Sequence, residues 1–341
     1  MRLCALLGTA AALQRAPRPL PRTPRLHAQS STQDVPAAAR IAVLLSVPVA
    51  WGTYAPAVKA VYALPQPPPG VVFSLAYYVV ALACLSVVAT TRRDCGPLPY
   101  KAGAELGLYL FLGNLFQVVG LETVSADAAA FLVQTTTIIV PVLEAQVLGA
   151  AVSSSTYRNC AVAMAGVAVL CGESLESGAA PPQGILLILC AALLYSVHVV
   201  RLSAIAPDCG ALDLAQAKAS AEVGFAVASV AALYAFTPFA AGRAFVASLP
   251  GDSPETLGAL ATAVIWCGAV TCAYTIWAQS FGQRGVQAAR ANLIYTSQPI
   301  TTALFAFLLL HEVPSPGTLA GGGLILVAVA AEVVGMEEAP A

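Results

Sequence analysis

The sequence predicts an all-α integral membrane protein, with ten transmembrane helices arranged as two inverted five-helix repeats around a central cavity. Three observations support this fold class. Hydrophobic residues make up 58% of the chain and charged residues only 10%, whereas a soluble domain carries about 25% charged residues. Ten apolar segments are long enough to cross a bilayer. Finally, the two halves share a pattern of prolines and polar residues.

Length predicts the spans, because a helix needs about 20 mainly apolar residues to cross the hydrocarbon core. Short connections rich in proline and glycine separate them, and the longest, PFAAGRAFVASLPGDSPE, joins the seventh and eighth spans. The predicted spans are 40–62, 69–91, 101–121, 127–149, 157–173, 183–203, 213–237, 257–280, 287–310 and 316–336.

The first 36 residues differ from the rest of the chain. The stretch RAPRPLPRTPRLHAQSSTQDVP is rich in arginine, proline and serine and nearly free of acid, which is typical of an organellar transit segment. A secretory signal is the alternative, because LCALLGTAAAL resembles a short apolar core. We expect 1–36 to be a disordered targeting segment, 337–341 a short tail, and the plastid envelope the location, with the plasma membrane or another endomembrane as alternatives.

Positive charge supports the count of ten spans. One side of the membrane receives only Lys59 and Arg243. The other side receives Arg40, Arg92, Arg93, Lys101, Arg158, Arg201, Arg284 and Arg290. Since cytoplasmic loops carry an excess of Lys and Arg, both termini are expected on the cytoplasmic or stromal side.

The two halves align at an offset of 158 residues. This offset pairs Pro141 with Pro299, Gln134 with Asn292, Thr137 with Tyr295, and Glu144 with Thr302. Each half has five predicted spans, an odd number, so the second half enters the membrane in the opposite orientation. The predicted repeats are 40–173 and 183–336, and inverted repeats are typical of secondary transporters.

These features resemble the drug/metabolite transporter superfamily, in its EamA-type branch. The residues that carry the resemblance are Trp51, Gly52, Lys59, Ala129, Phe131, Pro141, Val142 and the stretch ARANLIYTSQPITTALFAFLLLHE. That stretch ends in His311 and Glu312, where the family commonly has Gly-Glu. The first half departs from the pattern, with GAAVSSS after the fourth span. The resemblance implies ten helices in two inverted repeats, a central cavity and alternating access.

The fourth and ninth spans are expected to line the cavity. Proline kinks a helix, so Pro141 should free the carbonyl of Thr137, and Pro299 that of Tyr295. In lipid, such breaks must face protein or a water-filled cavity. The polar residues recur at helical spacing and so share one face. The expected pathway residues here are Gln134, Thr137, Pro141, Glu144, Asn292, Tyr295, Gln298, Pro299 and Thr302. The alternative is that these groups only hold helices together.

Other spans offer further candidates. Trp51, Tyr54, Asn114 and Gln117 are expected to face the same cavity, in a first span bent by Pro48 and Pro56. Candidates for proton or ion coupling are His198, Lys218 and Glu222. Alternatively, His198 is a packing residue, and Lys218 and Glu222 form a structural ion pair whose side chains reach the membrane surface. Gly317, Gly321, Gly322 and Gly323 predict close helix contact, within the bundle or in a homodimer.

The function expected from these features is secondary transport of a small organic metabolite by alternating access. Uncharged or zwitterionic solutes such as amino acids are favoured over phosphates, which require Arg or Lys deep in the bundle. Motifs for metals, nucleotides or catalytic nucleophiles are missing from the sequence, so we expect no cofactor, no enzymatic activity and no nucleic-acid partner. The expected partners are the lipid bilayer and the solute. The alternatives are a membrane-embedded hydrolase or transferase, and a non-transporting receptor or assembly factor; neither explains the repeat.

Overall fold

A computed structural model describes residues 35–91, 98–121, 123–124, 126–175, 181–237, 239–248, 253–310 and 313–337. Almost all of the predicted targeting segment lies outside these residues, as do Arg92, Arg93, His311, Glu312 and most of the tail. All regular structure within them is helical. Helices satisfy their own backbone hydrogen bonds, as a lipid-embedded chain requires. The predicted all-α membrane fold is therefore confirmed.

The first half of the chain forms seven helices among its described residues. They are α1 (Ala37–Gly52), α2 (Tyr54–Tyr62), α3 (Gly70–Thr90), α4 (Tyr100–Leu121), α5 (Ala126–Val133), α6 (Thr136–Leu148) and α7 (Ser154–Leu175). The second half forms α8 (Pro182–Ile205), α9 (Ala211–Phe236), α10 (Ala240–Ser248), α11 (Pro254–Trp266), a π-helix (Cys267–Tyr274), α12 (Thr275–Gly282), α13 (Ala288–Tyr295), α14 (Gln298–Leu310) and α15 (Pro316–Glu337). Helix α10 lies in the long connection between the predicted seventh and eighth spans.

The count of ten spans is not confirmed exactly as predicted. Within the described residues, eight helical stretches are long and apolar enough to cross a membrane. The predicted fifth and ninth spans are helical but are not among the eight. Helix α7 opens with the polar residues SSTYRN, and the ninth span is divided into helices of 8 and 13 residues.

Breaks divide several of the predicted spans. The first is interrupted at Thr53, between α1 and α2, as its prolines predict. The fourth is interrupted at Gln134–Thr135 rather than at Pro141, which α6 accommodates six residues into the helix. The ninth is interrupted at 296–297. Pro299 follows as the second residue of α14, where a missing N–H costs little.

Helix packing follows a regular pattern. Helix α4 packs against α8 and α9, while α12 packs against α1 and the π-helix against α3. Helix α8 contacts α6, and α1 contacts α14. Three further pairs are α3 with α9, α6 with α13, and α7 with α15. The first five predicted spans can be matched in order to the last five. When each span is replaced by its match, the same list of neighbouring pairs results. Two related five-helix units would pack in this way, although the repeat boundaries stay a prediction.

The bundle has two ends, which we name by one residue each. At the Arg40 end, the Nη1 of Arg40 donates to the carbonyl of Arg284, and the amide of Gln287 donates to the carbonyl of Ala151. At the Gly70 end, the start of α3 lies against Val118 near the end of α4. Burial, reinforced by the nearby positive charge of Arg40, lowers the pKa of Arg284 in the connection after α12.

Small residues allow close helix approach between α7 and α15. A Cβ on Gly321 would lie 2.4 Å from the carbonyl oxygen of Gly166, so only glycine fits there. A Cβ on Gly323, in contrast, would meet nothing within 4 Å. Of the expected glycine contacts, the one at Gly321 therefore lies within the bundle.

Candidate functional site

A cavity of about 210 Å³ lies where the broken helices meet. A cavity of this size has room for several water molecules or one small metabolite. Eight of the ten predicted spans contribute to its wall, the fifth and tenth being the exceptions. The lining residues are Trp51, Tyr54, Tyr77, Tyr78, Leu110, Asn114, Gln117, Val133, Gln134, Thr136, Tyr195, His198, Val199, Glu222, Thr271, Cys272, Thr275, Ile276, Gln279, Asn292, Tyr295 and Gln298.

Most of the residues singled out from the sequence lie in this wall. From the expected pathway they are Trp51, Tyr54, Asn114, Gln117, Gln134, Asn292, Tyr295 and Gln298, and from the coupling candidates His198 and Glu222. The structure places the others outside the wall: Thr137, Pro141, Glu144, Pro299, Thr302 and Lys218. Of the four residue pairs named above for the offset, only Gln134 and Asn292 line the cavity together.

Thr137 and the two prolines lie beside the cavity. The hydroxyl of Thr137 is 2.7 Å from that of Thr296, so a hydrogen bond joins α6 to the break in the ninth span. Pro141 and Pro299 are both buried, as expected if they face protein. Thr302 is half-buried.

Glu144 stabilises the start of a helix. Its two carboxylate oxygens accept hydrogen bonds from the backbone N–H groups of Ala288 and Ala289, at 2.9 and 2.8 Å. These N–H groups belong to the first turn of α13, which has no intrahelical partners for them and favours negative charge. The buried carboxylate therefore caps α13 at the Arg40 end.

One part of the wall is aromatic. The ring centroids of Tyr77 and Tyr78 are 4.7 Å apart, and those of Tyr54 and Tyr77 are 6.4 Å apart. Trp51 of the first span packs edge-on against Tyr295 of the ninth span, with ring centroids 5.3 Å apart. Sequence reasoning missed Tyr77 and Tyr78, because a tyrosine pair in an apolar span is also typical of ordinary packing.

Sequence reasoning also missed the eighth span. Thr271, Thr275 and Gln279 line the cavity from the π-helix and α12. Their spacing of four residues places them on one helical face, a signal that the sequence offered. The two threonine hydroxyls donate to backbone carbonyls of the preceding turn, at 2.8 and 2.7 Å. Single-turn π geometry often occurs at functional sites.

Amide side chains on the third span are held by hydrogen bonds. The hydroxyl of Tyr195 donates to the Oε1 of Gln117 at 2.8 Å, which joins α8 to α4. The Nδ2 of Asn114 donates to the hydroxyl of Ser74 at 3.1 Å. Both amides are therefore positioned before any solute arrives.

The ionisable groups behave differently from the sequence expectation. Lys218 is 0% exposed and Glu222 2% exposed, so neither side chain reaches the membrane surface. Among the described residues, the Nζ of Lys218, the Oε2 of Glu222 and the Nε2 of His198 have no hydrogen-bond partner. Lys218 and Glu222 interact electrostatically, as an ion pair would, although no hydrogen bond joins them in the described structure.

Comparisons with known proteins support a transporter-like fold. Residues 182–331 match the model of the EamA-like transporter family, which confirms the resemblance for the second half of the chain. A crystal structure described only as that of a protein is similar, with a TM-score of 0.71 and 18% identity, over 87% of this chain and 98% of that one. At this identity the likeness shows the fold alone. A search of curated proteins finds no match.

Proposed function

We propose, from the match of residues 182–331 to the EamA-like transporter family, that this multi-pass membrane protein is a secondary transporter of a small organic metabolite. The cavity carries the proposal, because polar side chains from both halves of the chain converge there in an otherwise apolar bundle. Secondary transporters hold their solute near the membrane midplane between repeats, at discontinuous helices. The breaks at Gln134–Thr135 and at 296–297 fit this description.

The chemistry of the wall favours uncharged or zwitterionic solutes over phosphates. Phosphate recognition requires charged donors such as Arg or Lys. Among the described lining residues, the donors are amides, hydroxyls and His198, and neither Lys nor Arg is present. The volume of about 210 Å³ limits the solute to a small molecule such as an amino acid.

Movement of the solute is proposed to follow alternating access, in which the two halves rock around the cavity. The buried contact between Thr137 and Thr296 lies at the boundary between α6 and the ninth span, where such rocking would act. The plastid envelope and a homodimer remain proposals. A fluorescent fusion of the full chain tests the location, and light scattering of the purified protein tests the oligomeric state.

The test is exchange of labelled metabolites by proteoliposomes that contain the purified full-length chain. We expect uptake of at least one uncharged or zwitterionic solute, and a loss of uptake of about tenfold or more in Asn292→Leu, which replaces a lining amide by an apolar side chain. Thr262→Ala is the control, because Thr262 is exposed and outside the cavity. Exchange of phosphorylated compounds alone would overturn the solute class, and no exchange of any compound would overturn transport.

A membrane-embedded enzyme would require a nucleophile and a base in contact. Cys272 and His198 both line the cavity. Within the described part of the chain, however, the Nε2 of His198 makes no hydrogen bond to a thiol, hydroxyl or carboxylate. The geometry therefore favours solute passage over catalysis.

A further inference from the structure

One carboxylate is found among the described residues that line the cavity, that of Glu222. Its side chain is 2% exposed, and its Oε2 has no hydrogen-bond partner in the described structure. A buried carboxylate oxygen without a donor is costly in free energy, because it has lost its hydration without compensation. Such an oxygen at a cavity wall points to a ligand that supplies the missing donor.

Two tyrosines of the cavity wall lie near this carboxylate. Tyr78 on α3 and Tyr195 on α8 both interact electrostatically with Glu222, and both line the cavity. Tyr54 and Tyr77 extend the same wall. Aromatic faces attract cations within about 6 Å, and more strongly when water is excluded. The carboxylate and the rings together suit an ammonium group.

Lys218 determines which kind of ammonium compound fits best. It lies one helical turn from Glu222 on α9, is 0% exposed, and is not part of the wall. Its positive charge offsets that of Glu222, so the two side chains together are neutral. A solute with only a positive charge would leave that charge uncompensated in a buried site. A zwitterion brings its own negative charge and keeps the site neutral.

The opposite charge of a zwitterion has a donor available. Asn292 on α13 lines the cavity and is 5% exposed, and its Nδ2 has no hydrogen-bond acceptor among the described residues. An amide N–H can donate to a carboxylate without adding charge to the site. The wall thus offers an unpaired acceptor and an unpaired donor on different helices.

We infer that Glu222 binds the ammonium group of the transported solute, with Asn292 donating to the solute's carboxylate. This inference rests on the proposed function and names the specificity-determining residue of the same cavity. It assigns Lys218 a positioning role, which is to balance the charge of Glu222 from behind the wall.

The first test measures binding to the purified full-length chain by calorimetry. Three series of probes share a skeleton: alanine, ethylamine and propionate; leucine, 3-methylbutylamine and 4-methylpentanoate; and phenylalanine, phenethylamine and 3-phenylpropionate. In at least one series, we expect the amino acid to bind about tenfold or more tighter than the acid that lacks the amine. The amine should bind with intermediate affinity. Equal affinity of acid and amino acid in every series, or no binding in any, would overturn the inference.

The second test uses variants. Glu222→Gln should weaken binding of the amino acid by about tenfold to a hundredfold, the usual effect of losing a charged hydrogen bond, and leave binding of the acid unchanged. Because that variant leaves Lys218 without a counter-charge, Lys218→Met/Glu222→Gln is the second variant and should show the same loss. Glu105→Gln is the control, since Glu105 pairs with Arg201 outside the cavity and should keep wild-type affinity.

The outcomes separate this inference from the proposed function. If the Lys218→Met/Glu222→Gln variant keeps the wild-type preference for the amino acid, the pair is purely structural and the inference is wrong. If proteoliposomes exchange only solutes that lack an amine, the protein is a transporter, but Glu222 does not bind an ammonium group of the solute. If amino acids bind in a Glu222-dependent way but are not exchanged, the binding site is supported and the proposed transport function is wrong.

Discussion

Two buried carboxylates in the bundle have opposite surroundings. Glu332 on α15 is 3% exposed, and it accepts hydrogen bonds from the Oγ1 of Thr156 and the Nδ2 of Asn159, each at 2.8 Å. The Nε of Arg290 lies 3.3 Å from its Oε1. Glu222 is buried to the same degree, yet its Oε2 has no donor among the described residues.

The difference shows that burial alone does not identify a functional ionisable group. A buried charge whose lone pairs are filled by protein donors stabilises the structure and has no capacity left for a solute. Glu144 belongs to this class, because both of its oxygens bind backbone N–H groups of α13. Glu222 alone among these three carboxylates faces the cavity with an unfilled position.

The contrast extends to the regions around these residues. Charged contacts at the Arg40 end join separate helices, as where Arg201 donates to Glu105 at 2.5 and 3.1 Å. In the cavity and toward the Gly70 end, neutral contacts also join separate helices, such as the indole of Trp266 donating to Thr53 at 2.8 Å. We therefore expect the Arg40 end to govern stability and the cavity to govern solute binding.

The largest expected effect is on stability, from Glu332→Ala. Removing one partner of a buried charge pair costs about 3–5 kcal/mol, because Arg290 is then left uncompensated. Urea unfolding in detergent micelles measures the change. Glu255→Ala, at an exposed position in the first turn of α11, should cost at most about 1 kcal/mol. Equal losses in the two variants would remove the distinction between the carboxylates.

The next largest effect is the change in the free energy of unfolding when a buried ion pair is replaced, and it has opposite signs for the pairs Lys218–Glu222 and Arg290–Glu332. Replacing a buried ion pair by apolar residues of similar volume is often stabilising, by about 1–4 kcal/mol. Lys218→Met/Glu222→Leu should therefore raise the free energy of unfolding while solute binding is lost. Arg290→Met/Glu332→Leu should lower it, because Thr156 and Asn159 would lose their acceptor. Changes of the same sign in both double variants would contradict the comparison.

The sequence predicts the fold further than it predicts the site. Apolar length places the spans, because lipid requires helices wherever the chain crosses. Sequence rules for where a helix breaks fail where contacts with other helices determine the position of the break. Proline predicts the break in the first span at Thr53, but in the fourth the break lies before Pro141, at Gln134–Thr135.

The cavity could be predicted only in part, for a similar reason. A polar face on a predicted span indicates that its side chains contact other helices and not lipid. It does not indicate which helices they contact. Gln134 and Asn292 reach the cavity, whereas Glu144 and Thr137 bond to the neighbouring ninth span instead. Glu332 is an ionisable group in a predicted span, which is a signal that the sequence contains.

A moderate effect is expected from Glu144→Gln. Glutamine has one acceptor oxygen and no charge, so one of the N–H groups of Ala288 and Ala289 loses its partner, at a cost of about 1.5–3 kcal/mol. Solute affinity should be unchanged, because Glu144 lies outside the cavity. Gln146→Ala, exposed on the same helix, is the control and should change neither quantity. A loss of affinity without a loss of stability would move Glu144 into the functional class.

The smallest expected effect on stability is that of Thr137→Val, which tests whether the boundary between the two regions moves during transport. The change removes the hydroxyl contact to Thr296 at a cost of about 0.5–1.5 kcal/mol, since the hydroxyl of Thr296 still donates to the carbonyl of Asn292. If the contact resists separation of α6 from the ninth span, its loss lowers the barrier to rocking. Solute exchange should then accelerate by up to about tenfold, because about 1.4 kcal/mol corresponds to one factor of ten. Solute affinity should stay constant, since Thr137 does not line the cavity. An unchanged exchange rate together with weaker binding would instead make Thr137 part of the solute site and place the moving boundary elsewhere in the bundle.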